Sequence, residues 1–526
     1  MQAHSLHEKS LEYWAALRSE ASLVPANHYF HSWLALAAFE LERAELGEAL
    51  LGEYFTLERR GHIEFNKLAL LHIVERHGAA LSETLATQVE ACLVDGNFSV
   101  DFTTSTGNNW LVLRTLIHLK LALRFNRPQD LEAFRAYFDH VMGLADGGLF
   151  FDYPPLRDPQ HIRAFPLTYS FKMLALFLEC LGLLEGHGVD DQRQAQLREL
   201  VQQALPVHLA FIAPDGEALY YGRSDNTLFG YANLLAVLAR LRPDPQVEQW
   251  RVVVRDYIRR HFVKDGILTT AVAAPGFRDA YVHDSVYCAY FIAMTLMSDK
   301  GPPPLCEVPQ PLAGAMLTTP IGFLVRSSSA FAFISGRGCS LPQKGSDFSG
   351  YRYTGLTPFK FWCNNRGDAG LLAVNRGGLG ALKSEIPLLP LGRGFGVKLQ
   401  ALMFEEVHIS DNGTECKLRG HAAPLTLVAH PTGRRILRHL GRRRPGLRRW
   451  LTGVSQGEAE IVRDVYINYA TCTLRITDHL PPGSWHYLIP AKATASGDKV
   501  RCKTQSPGVN RLTTTGGRVI ITLGAT

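Results

Sequence analysis

The sequence predicts an α+β multidomain protein: an N-terminal (α/α) toroid, an incomplete barrel of helix pairs, followed by a C-terminal antiparallel β-sandwich. Up to about residue 298, apolar residues recur at helical spacing, as in Leu228, Tyr231, Leu234, Leu235 and Leu238. A Pro-rich stretch, GPPPLCEVPQPL, then interrupts the helical pattern. Beyond it come short runs rich in Val, Ile, Phe and Thr, which are typical of strands.

These changes of pattern predict the domain boundaries. A chain of 526 residues is too long for one ordinary core. We expect the toroid to occupy residues 1–300, a linker residues 301–312 and the β-sandwich residues 313–526. Strands are predicted at IGFLVRS, SAFAFIS, AEIVRDVYI, TCTLRIT and RVIITL.

A weak repeat in the first half predicts how the helices are arranged. Asp-Gly pairs occur at 95–96, 146–147, 215–216 and 265–266. Each precedes a short β-like run, a polar cluster and a helix that is apolar nearly all round, which is typical of a buried inner helix. These helices are NNWLVLRTLIHL, PLTYSFKMLALFLECL, SDNTLFGYANLLAVLARL and HDSVYCAYFIAMTLM. In a ring, the polar clusters would all line one cleft.

Composition and charge narrow the class of protein. The chain is 46% hydrophobic and 20% charged, as expected of a globular protein. Nine cysteines without CxxC or Cys/His ligand spacing argue against a disulfide framework and a zinc site, so we predict neither metal nor cofactor. The segment Arg434–Arg449 carries eight arginines; it is either a solvated loop or a surface for an anionic partner.

The N-terminus carries no pattern of a signal peptide, and no apolar run reaches the length that spans a bilayer. We therefore expect a cytoplasmic protein without a transmembrane segment, or a periplasmic or secreted one if a signal is missing from this sequence. No particular oligomeric state is predicted.

The first two polar clusters offer candidate site residues. In the first, an amide of Asn108 or Asn109 would hydrogen-bond a substrate carboxylate while Trp110 stacks on a sugar ring; the alternative is ordinary helix capping and packing. The second cluster has a density of aromatic and titratable groups that packing does not require. Its candidate residues are Asp152, Tyr153, His161, Arg163 and Tyr169.

In the third cluster, Arg223 could grip a carboxylate through both arms of its guanidinium, and the phenol pKa of a neighbouring tyrosine, Tyr220 or Tyr221, could be lowered enough to move a proton. The alternative is an ion pair of Arg223 with Asp225 beside a helix cap.

The fourth cluster offers His283 and Tyr287, with Asp284 or Ser285 as the cap. His283 is expected to support the site rather than to react. Two stretches upstream, Asn27-His28-Tyr29 and His62-Ile63-Glu64, are expected to begin earlier units of the ring.

These residue types fit the cleavage of a uronic-acid chain by β-elimination. The reaction requires neutralisation of the C5 carboxylate, a base for the α-proton and an acid for the leaving oxygen. Asn or Arg can fill the first role, His or Tyr the second, and Tyr the third.

An Asn-Asn pair that opens an inner helix, the loop DGGLFFDYPP leading to PLTYSFKM, and the strand TLRITDHLPP resemble the heparinase II/III and alginate lyase superfamily. The chain has Trp110 where those enzymes commonly carry a histidine. The resemblance implies a toroid joined to antiparallel sheets, with the glycan in the cleft between them. It also implies Asn108 or Asn109 as the neutralising group, and Tyr169 or Tyr221 with His161 as the proton-transfer pair.

We therefore expect a polysaccharide lyase whose partner is an acidic polysaccharide or oligosaccharide and not a nucleic acid. One alternative is a toroid-type glycoside hydrolase that uses paired carboxylates from Asp101, Asp152 and Asp225. Another is a non-catalytic protein that binds an anionic glycan or serves its biosynthesis.

Overall fold

The structure of the chain is a computed structural model. It describes residues 2–20, 29–57, 61–95, 100–102, 107–152, 165–222, 226–269, 284–310, 316–336, 356–364, 367–368, 391–392, 397–429, 452–456, 460–490, 492–506 and 509–523.

The N-terminal part of the described chain is helical. Its α-helices alternate between outer and inner positions, beginning with an outer helix. They are α1 (Gln2–Ala16), α2 (Phe30–Glu40), α3 (Ala44–Thr56), α4 (Ile63–His77), α5 (Glu83–Asp95), α6 (Asn109–Phe125), α7 (Pro128–Val141), α8 (Leu167–His187), α9 (Asp191–Ala210), α10 (Leu228–Ala239), α11 (Pro245–Phe262) and α12 (Asp284–Asp299). Two 3-10 turns, Gly78–Ala80 and Met142–Leu144, follow α4 and α7.

The even-numbered helices form the inner ring. Each contacts the next, from α2 through α4, α6, α8 and α10 to α12, and α12 packs on α2. The predicted inner helices are thereby confirmed as α6, α8, α10 and α12, and α2 and α4 join them. The described inner helices thus follow one another around a ring, as in the toroid that the sequence predicts.

One inner helix has the length and composition of a membrane span. Leu167–His187 contains an 18-residue window with a mean hydropathy of 1.5, but 78% of that window is buried inside the protein. It packs against α6, α9 and α10. Its apolar character therefore reflects a position in the core of the toroid.

Two of the Asp-Gly pairs form the turns of short hairpins. The first hairpin joins β1 (Ala145–Asp146) to β2 (Leu149–Phe150), and the second joins β3 (Val263–Lys264) to β4 (Ile267–Leu268). The β-like runs predicted after these pairs are thus confirmed. Each hairpin follows an outer helix and precedes the next inner helix in the sequence.

The C-terminal part consists of antiparallel sheets. One has the order β5-β6-β7-β8-β9, a second β11-β12-β14-β15-β20-β17 with β13 beside β12, and a third β10-β16-β19-β18. Their strands are β5 (Met316–Thr319), β6 (Gly322–Arg326), β7 (Ala330–Ser335), β8 (Pro358–Cys363), β9 (Gly367–Asp368), β10 (Leu391–Gly392), β11 (Val397–Asp411), β12 (Glu415–Ala429), β13 (Thr452–Gln456), β14 (Ile461–Asn468), β15 (Thr473–Leu480), β16 (Trp485–Pro490), β17 (Thr494–Gly497), β18 (Arg501–Ser506), β19 (Val509–Thr514) and β20 (Gly517–Leu523).

The first sheet is buried on both faces. Successive side chains of a strand point to opposite faces, and on β7 Phe331 and Phe333 belong to the core of the toroid. Their neighbours Ala332 and Ile334 belong instead to the core shared with the second sheet. This double burial explains why the run AFAFIS is apolar throughout rather than alternating.

A buried ion pair ties this sheet to the toroid. The Nζ atom of Lys360 on β8 lies 2.6 Å from Asp215 Oδ2 and 2.6 Å from Glu217 Oε2, in the loop after α9. Glu217 also accepts a hydrogen bond from the Asn226 amide, whose oxygen accepts a hydrogen bond of 2.6 Å from the Tyr231 hydroxyl. Through Asn226 and Tyr231, these hydrogen bonds link the contact between the sheet and the toroid to α10.

A second buried network holds the first hairpin. The Phe150 N–H donates to Ser170 Oγ over 3.0 Å, and this hydroxyl lies 2.8 Å from His208 Nε2. Because the Ala204 carbonyl, 2.9 Å from Nδ1, can only accept, Nδ1 carries the hydrogen and Nε2 accepts from Ser170. Burial lowers the pKa of His208 to about 4, against a smaller opposing effect of these hydrogen bonds.

Replacing Lys360 by Met should lower the free energy of unfolding by about 3–5 kcal/mol, because it leaves the Glu217 carboxylate buried without its cation. Lys417→Met is the control: its side chain is 58% exposed and pairs at the surface, so we expect about 1 kcal/mol or less. Urea denaturation measures both. Equal effects of the two substitutions would contradict the role of Lys360.

His208 should make stability depend on pH. The folded state favours the neutral imidazole, so its contribution is complete above about pH 6.5 and is lost as the pH falls towards 4. We expect a loss of up to about 3 kcal/mol over that range, and a smaller loss in His208→Gln. Urea denaturation at pH 8 and pH 5 measures the difference, with exposed His187→Gln as the control. An unchanged difference in His208→Gln would refute the assignment.

Candidate active site

The residues that precede the inner helices meet at one end of the ring, which we call the mouth. They are Tyr29, His62, Asn108, Pro166 and Thr227, before α2, α4, α6, α8 and α10 respectively. Ring contacts link the first turns of these helices: Tyr29 stacks on Phe65 with centroids 4.5 Å apart, and Phe65 lies 6.1 Å from Phe229. The structure thus brings the predicted clusters together as far as it describes them.

An aromatic layer forms the floor of the mouth. It consists of Trp33, Phe65, Phe229 and Tyr290, with Tyr290 4.4 Å from Trp33 and 4.6 Å from Phe229 between centroids. The Tyr290 hydroxyl donates to Asn233 Oδ1 over 3.0 Å. These rings lie in the first turns of α2, α4 and α10 and in the second turn of α12.

The start of α6 is held by a carboxylate from the neighbouring hairpin loop. Asp152 Oδ1 accepts hydrogen bonds from the backbone N–H of Asn109 over 2.9 Å and from its side-chain amide over 2.5 Å. A carboxylate at a helix N-terminus is favoured by the free N–H groups there. Gly107 has φ +149°, and a Cβ atom at this position would lie 2.8 Å from the Asp152 carboxylate, so the close approach requires glycine.

Lys172 is a site residue that the sequence analysis missed. Its side chain is buried on α8, and its Nζ donates to Asn109 Oδ1 over 2.6 Å. The ammonium also lies 4.0 Å from the ring centroid of Phe65 and 5.5 Å from that of Phe229, within reach of cation–π attraction. A lysine inside an otherwise apolar helix is rarely buried without a partner, and this was the available signal.

Tyr169 begins the same helix one turn before Lys172. Of the tyrosines at the mouth it is the half-buried one, whereas Tyr29, Tyr287 and Tyr290 are buried. Tyr169 lies 6.2 Å from Phe229, and Tyr287 stacks on the same ring at 5.4 Å. Burial, and then the neighbouring Tyr287, Tyr169 and Tyr290, raise the pKa of Tyr29 well above its ordinary value.

Trp110 and His62 form the side of the mouth next to α4 and α6. Trp110 is half-buried, and its ring lies 5.3 Å from that of His62 at an angle of 30°. Ile63 beside them is 51% exposed. This surface has the amphipathic character of a platform on which a sugar ring can stack.

The described tyrosines of the third cluster lie where toroid and sheet meet. The Tyr220 hydroxyl donates to the Phe211 carbonyl over 3.1 Å, and burial, then Glu217, raise its pKa well above the ordinary value. This is opposite to the lowered pKa expected for a tyrosine of this cluster, because no charge near Tyr220 outweighs its desolvation. We therefore assign Tyr220 a packing role.

Tyr221 lies beside the first sheet. Its ring contacts Phe333 and Phe359, with centroids 5.4 and 5.3 Å away, and its carbonyl accepts from the Leu167 N–H over 3.0 Å. Gly222, with φ +98°, brings the backbone so close to Pro166 that a Cβ atom would lie 2.3 Å from Pro166 Cα. This contact joins the third cluster to the start of α8.

Several predicted residues lie outside the described part of the chain, and their roles stay predictions: Tyr153, His161, Arg163, Arg223, Asp225 and His283, together with the basic segment 434–449. Among the described residues, no group of three or more His, Cys, Asp or Glu side chains is placed to hold a metal ion.

Comparisons with known proteins bear on the fold. No protein-family model matches the chain. No curated protein sequence matches it either. Chondroitin AC lyase from Streptomyces coelicolor A3, solved in complex with chondroitin sulphate, is similar in structure with a TM-score of 0.51 at 12% identity. The likeness covers 99% of this chain and 80% of that chain.

Two further solved structures match a smaller part of the chain. A polysaccharide lyase and an inactive variant of an α-1,6-mannanase from Salegentibacter sp. HEL1_6 each cover 56% of this chain at 12% identity and a TM-score of 0.41. They are covered over 96% and 99% of their own length. The likeness to the chondroitin lyase extends over both halves, and it confirms the predicted architecture of a helical toroid followed by antiparallel sheets.

Proposed function

We propose that this chain is a polysaccharide lyase that cleaves a uronic-acid-containing glycan by β-elimination. The observation that carries the proposal is the pairing of Lys172 with Asn109 at the mouth, one helical turn from Tyr169. In this proposal Lys172 and Asn109 neutralise the substrate carboxylate, and the phenol of Tyr169 transfers the proton.

The mouth suits an anionic group. The N-termini of the inner helices converge there, and each carries partial positive charge from its free N–H groups. Lys172 adds a full positive charge 2.6 Å from Asn109 Oδ1 and polarises the amide. One hydrogen of the Asn109 Nδ2 goes to Asp152, and we assign the second to the substrate carboxylate.

In the proposed reaction the Tyr169 phenolate removes the C5 proton, which the neutralised carboxylate has made more acidic. The electron pair of the C5–H bond forms the C4=C5 double bond, and the C4–O bond of the glycosidic linkage breaks. The leaving oxygen takes the proton from Tyr169, which restores the phenolate. Lys172, one turn further along the same face of α8, offsets the negative charge of the phenolate.

Three further predicted residues have roles in the proposed reaction. His161 is the proposed second proton-transfer group, Arg223 a second grip on the carboxylate, and Trp110 the platform for a neighbouring sugar. The whole-chain likeness to a chondroitin lyase supports the fold on which this scheme depends, a helical toroid followed by antiparallel sheets.

The geometry gives less support to hydrolysis by paired carboxylates, which stand about 5–9.5 Å apart across the bond in glycosidases. The Oδ1 atom of Asp152 already accepts two N–H groups at the start of α6, so this carboxylate could attack a substrate only by breaking these contacts. Asp101 is exposed, and its backbone contacts the Tyr137 hydroxyl on the outer helix α7. Asp225 lies outside the described residues.

A screen of alginate, glucuronan, heparin-like, chondroitin-like and pectic polymers tests the proposal. We expect at least one polymer to yield products with the ultraviolet absorbance of an unsaturated uronate. Release of reducing ends without that absorbance would identify a hydrolase instead. Binding without turnover would identify a glycan-binding protein.

Tyr169→Phe should lower kcat at least about 100-fold on the polymer found, because the proton-transfer group is removed while the ring remains. KM should change little. The control is Tyr13→Phe, whose side chain is 41% exposed on α1, and it should leave kcat unchanged. Full activity of Tyr169→Phe would exclude Tyr169 as the proton-transfer group.

Lys172→Met should lower kcat by about 100-fold, since it removes the charge that polarises Asn109 but keeps an unbranched apolar side chain between Phe65 and Phe229. Lys172→Arg should recover part of the loss because it restores the cation. Exposed Lys264→Met is the control. Circular dichroism checks that each variant is folded, and equal rates for the Met and Arg variants would contradict the electrostatic role.

A further inference from the structure

A cavity lies towards the end of the ring opposite the mouth. Its volume is about 330 Å³, and inner helices α4, α6, α8, α10 and α12 line it together with the segment that follows α12. Its polar residues His72, Lys120 and Glu179 come 9 to 12 residues after the helix starts, roughly 14–18 Å from the mouth. We call it the axial cavity.

The segment after α12 covers this end of the ring. Pro302, Pro303 and Leu305 line the cavity. The Leu305 N–H donates to the Arg240 carbonyl over 2.8 Å, and the Arg242 N–H donates to the Cys306 carbonyl over 2.9 Å. On its other side the cavity reaches Tyr290, which belongs to the aromatic layer.

Charged side chains of both signs face the axial cavity. Lys120 is buried, and its Nζ lies 2.7 Å from Glu75 Oε2 and 2.8 Å from Glu179 Oε1. Against burial, chiefly the charge of Lys120 lowers the pKa of Glu179 to about 2, so it is ionised at neutral pH. Arg240 is half-buried, and within the described chain no carboxylate oxygen lies within 4 Å of its guanidinium.

His72 adds a neutral polar group to the lining of the cavity. The residue is 6% exposed, and its Nε2 makes no hydrogen bond to the described residues; the Glu179 carboxylate is 3.7 Å away. Burial lowers the pKa of His72, so the ring is neutral and offers one donor and one acceptor. A buried nitrogen without a hydrogen bond is unfavourable, so a ligand that reaches it would be favoured.

The charge balance indicates which molecule fits. The two negative charges of Glu75 and Glu179 equal in number the two positive charges of Lys120 and Arg240. Arg76 at the rim forms an ion pair with Glu40. An ionised ligand would add an uncompensated charge to this partly buried space, which is unfavourable. A neutral ligand with several hydroxyl groups can donate to the carboxylates and accept from the cations at the same time.

The size and the walls agree with this chemistry. Small-molecule sites in proteins have volumes of about 300–1,000 Å³, and the axial cavity lies near the lower limit. Leu68, Leu176, Ala236 and Met294 form apolar walls for the C–H face of a ring. Glu75 and Ser298 reach solvent at its edge, so a ligand can enter from outside.

We infer that the axial cavity is a second ligand site, for an uncharged polyhydroxylated molecule the size of one sugar ring, recognised by His72, Glu179, Lys120 and Arg240. The inference does not rest on the lyase activity. Its test is a binding measurement, so either one can fail without the other.

The test is a titration of the full chain with D-glucose, D-galactose and D-mannose, followed by calorimetry and by saturation-transfer NMR. D-glucuronate and D-galacturonate are the charged counterparts. We expect at least one hexose to bind, and to do so at the axial cavity with a dissociation constant at least about tenfold below that of its uronate at the same cavity. Absence of binding by every hexose, or tighter binding of a uronate that is lost in Ala236→Leu, would overturn the inference.

Three variants locate the binding. His72→Phe should weaken it at least about tenfold. Ala236→Leu fills the cavity from an inner helix without removing a polar group, and should abolish binding even if His72→Phe is unstable. Trp110→Ala, at the mouth, should leave hexose binding unchanged. Binding that survives Ala236→Leu, or that is lost in Trp110→Ala, would place the hexose elsewhere and overturn the inference.

Discussion

Asp152, Asn109 and Lys172 form a buried chain of hydrogen bonds that joins the first hairpin loop, α6 and α8 at the mouth. A charge removed from water must be paired or it destabilises the fold, and here the carboxylate and the ammonium share the two ends of one amide. The chain also fixes which way the Asn109 amide points. Trp110 and Tyr169, which begin the same two helices, take their positions from it.

The second constraint is the contact between toroid and sheet. The first sheet is buried on both faces, and Lys360 gives it a specific anchor on Asp215 and Glu217. Apolar contact alone would permit the sheet to slide, whereas a buried ion pair requires one relative position. Tyr221 lies in this contact, and its carbonyl accepts a hydrogen bond from the start of α8. The contact between the toroid and the sheet therefore extends to the mouth.

The two ends of the ring differ because helices have direction. Partial positive charge gathers where the inner helices begin, and cationic side chains gather where they end: Arg76 lies in the last turn of α4 and Arg240 follows α10. The mouth therefore presents an environment for an anion. The axial cavity, where Glu75 and Glu179 offset the cations, presents a neutral one.

Periodicity in the sequence determined the architecture: apolar residues recur at helical spacing up to the proline run, and short runs rich in Val, Ile, Phe and Thr follow it. It also indicated Asn109, Tyr169 and Tyr287, because polar residues before an inner helix must reach the mouth. Lys172 and Lys360 were not found: a lysine in an apolar run signals a buried charge, but only the fold shows which carboxylate or amide pairs with it. His72 on α4 and Glu179 on α8 are 107 positions apart in the sequence, yet they lie 3.7 Å from each other. Only the closure of the ring, decided by tertiary packing, brings their side chains to one cavity.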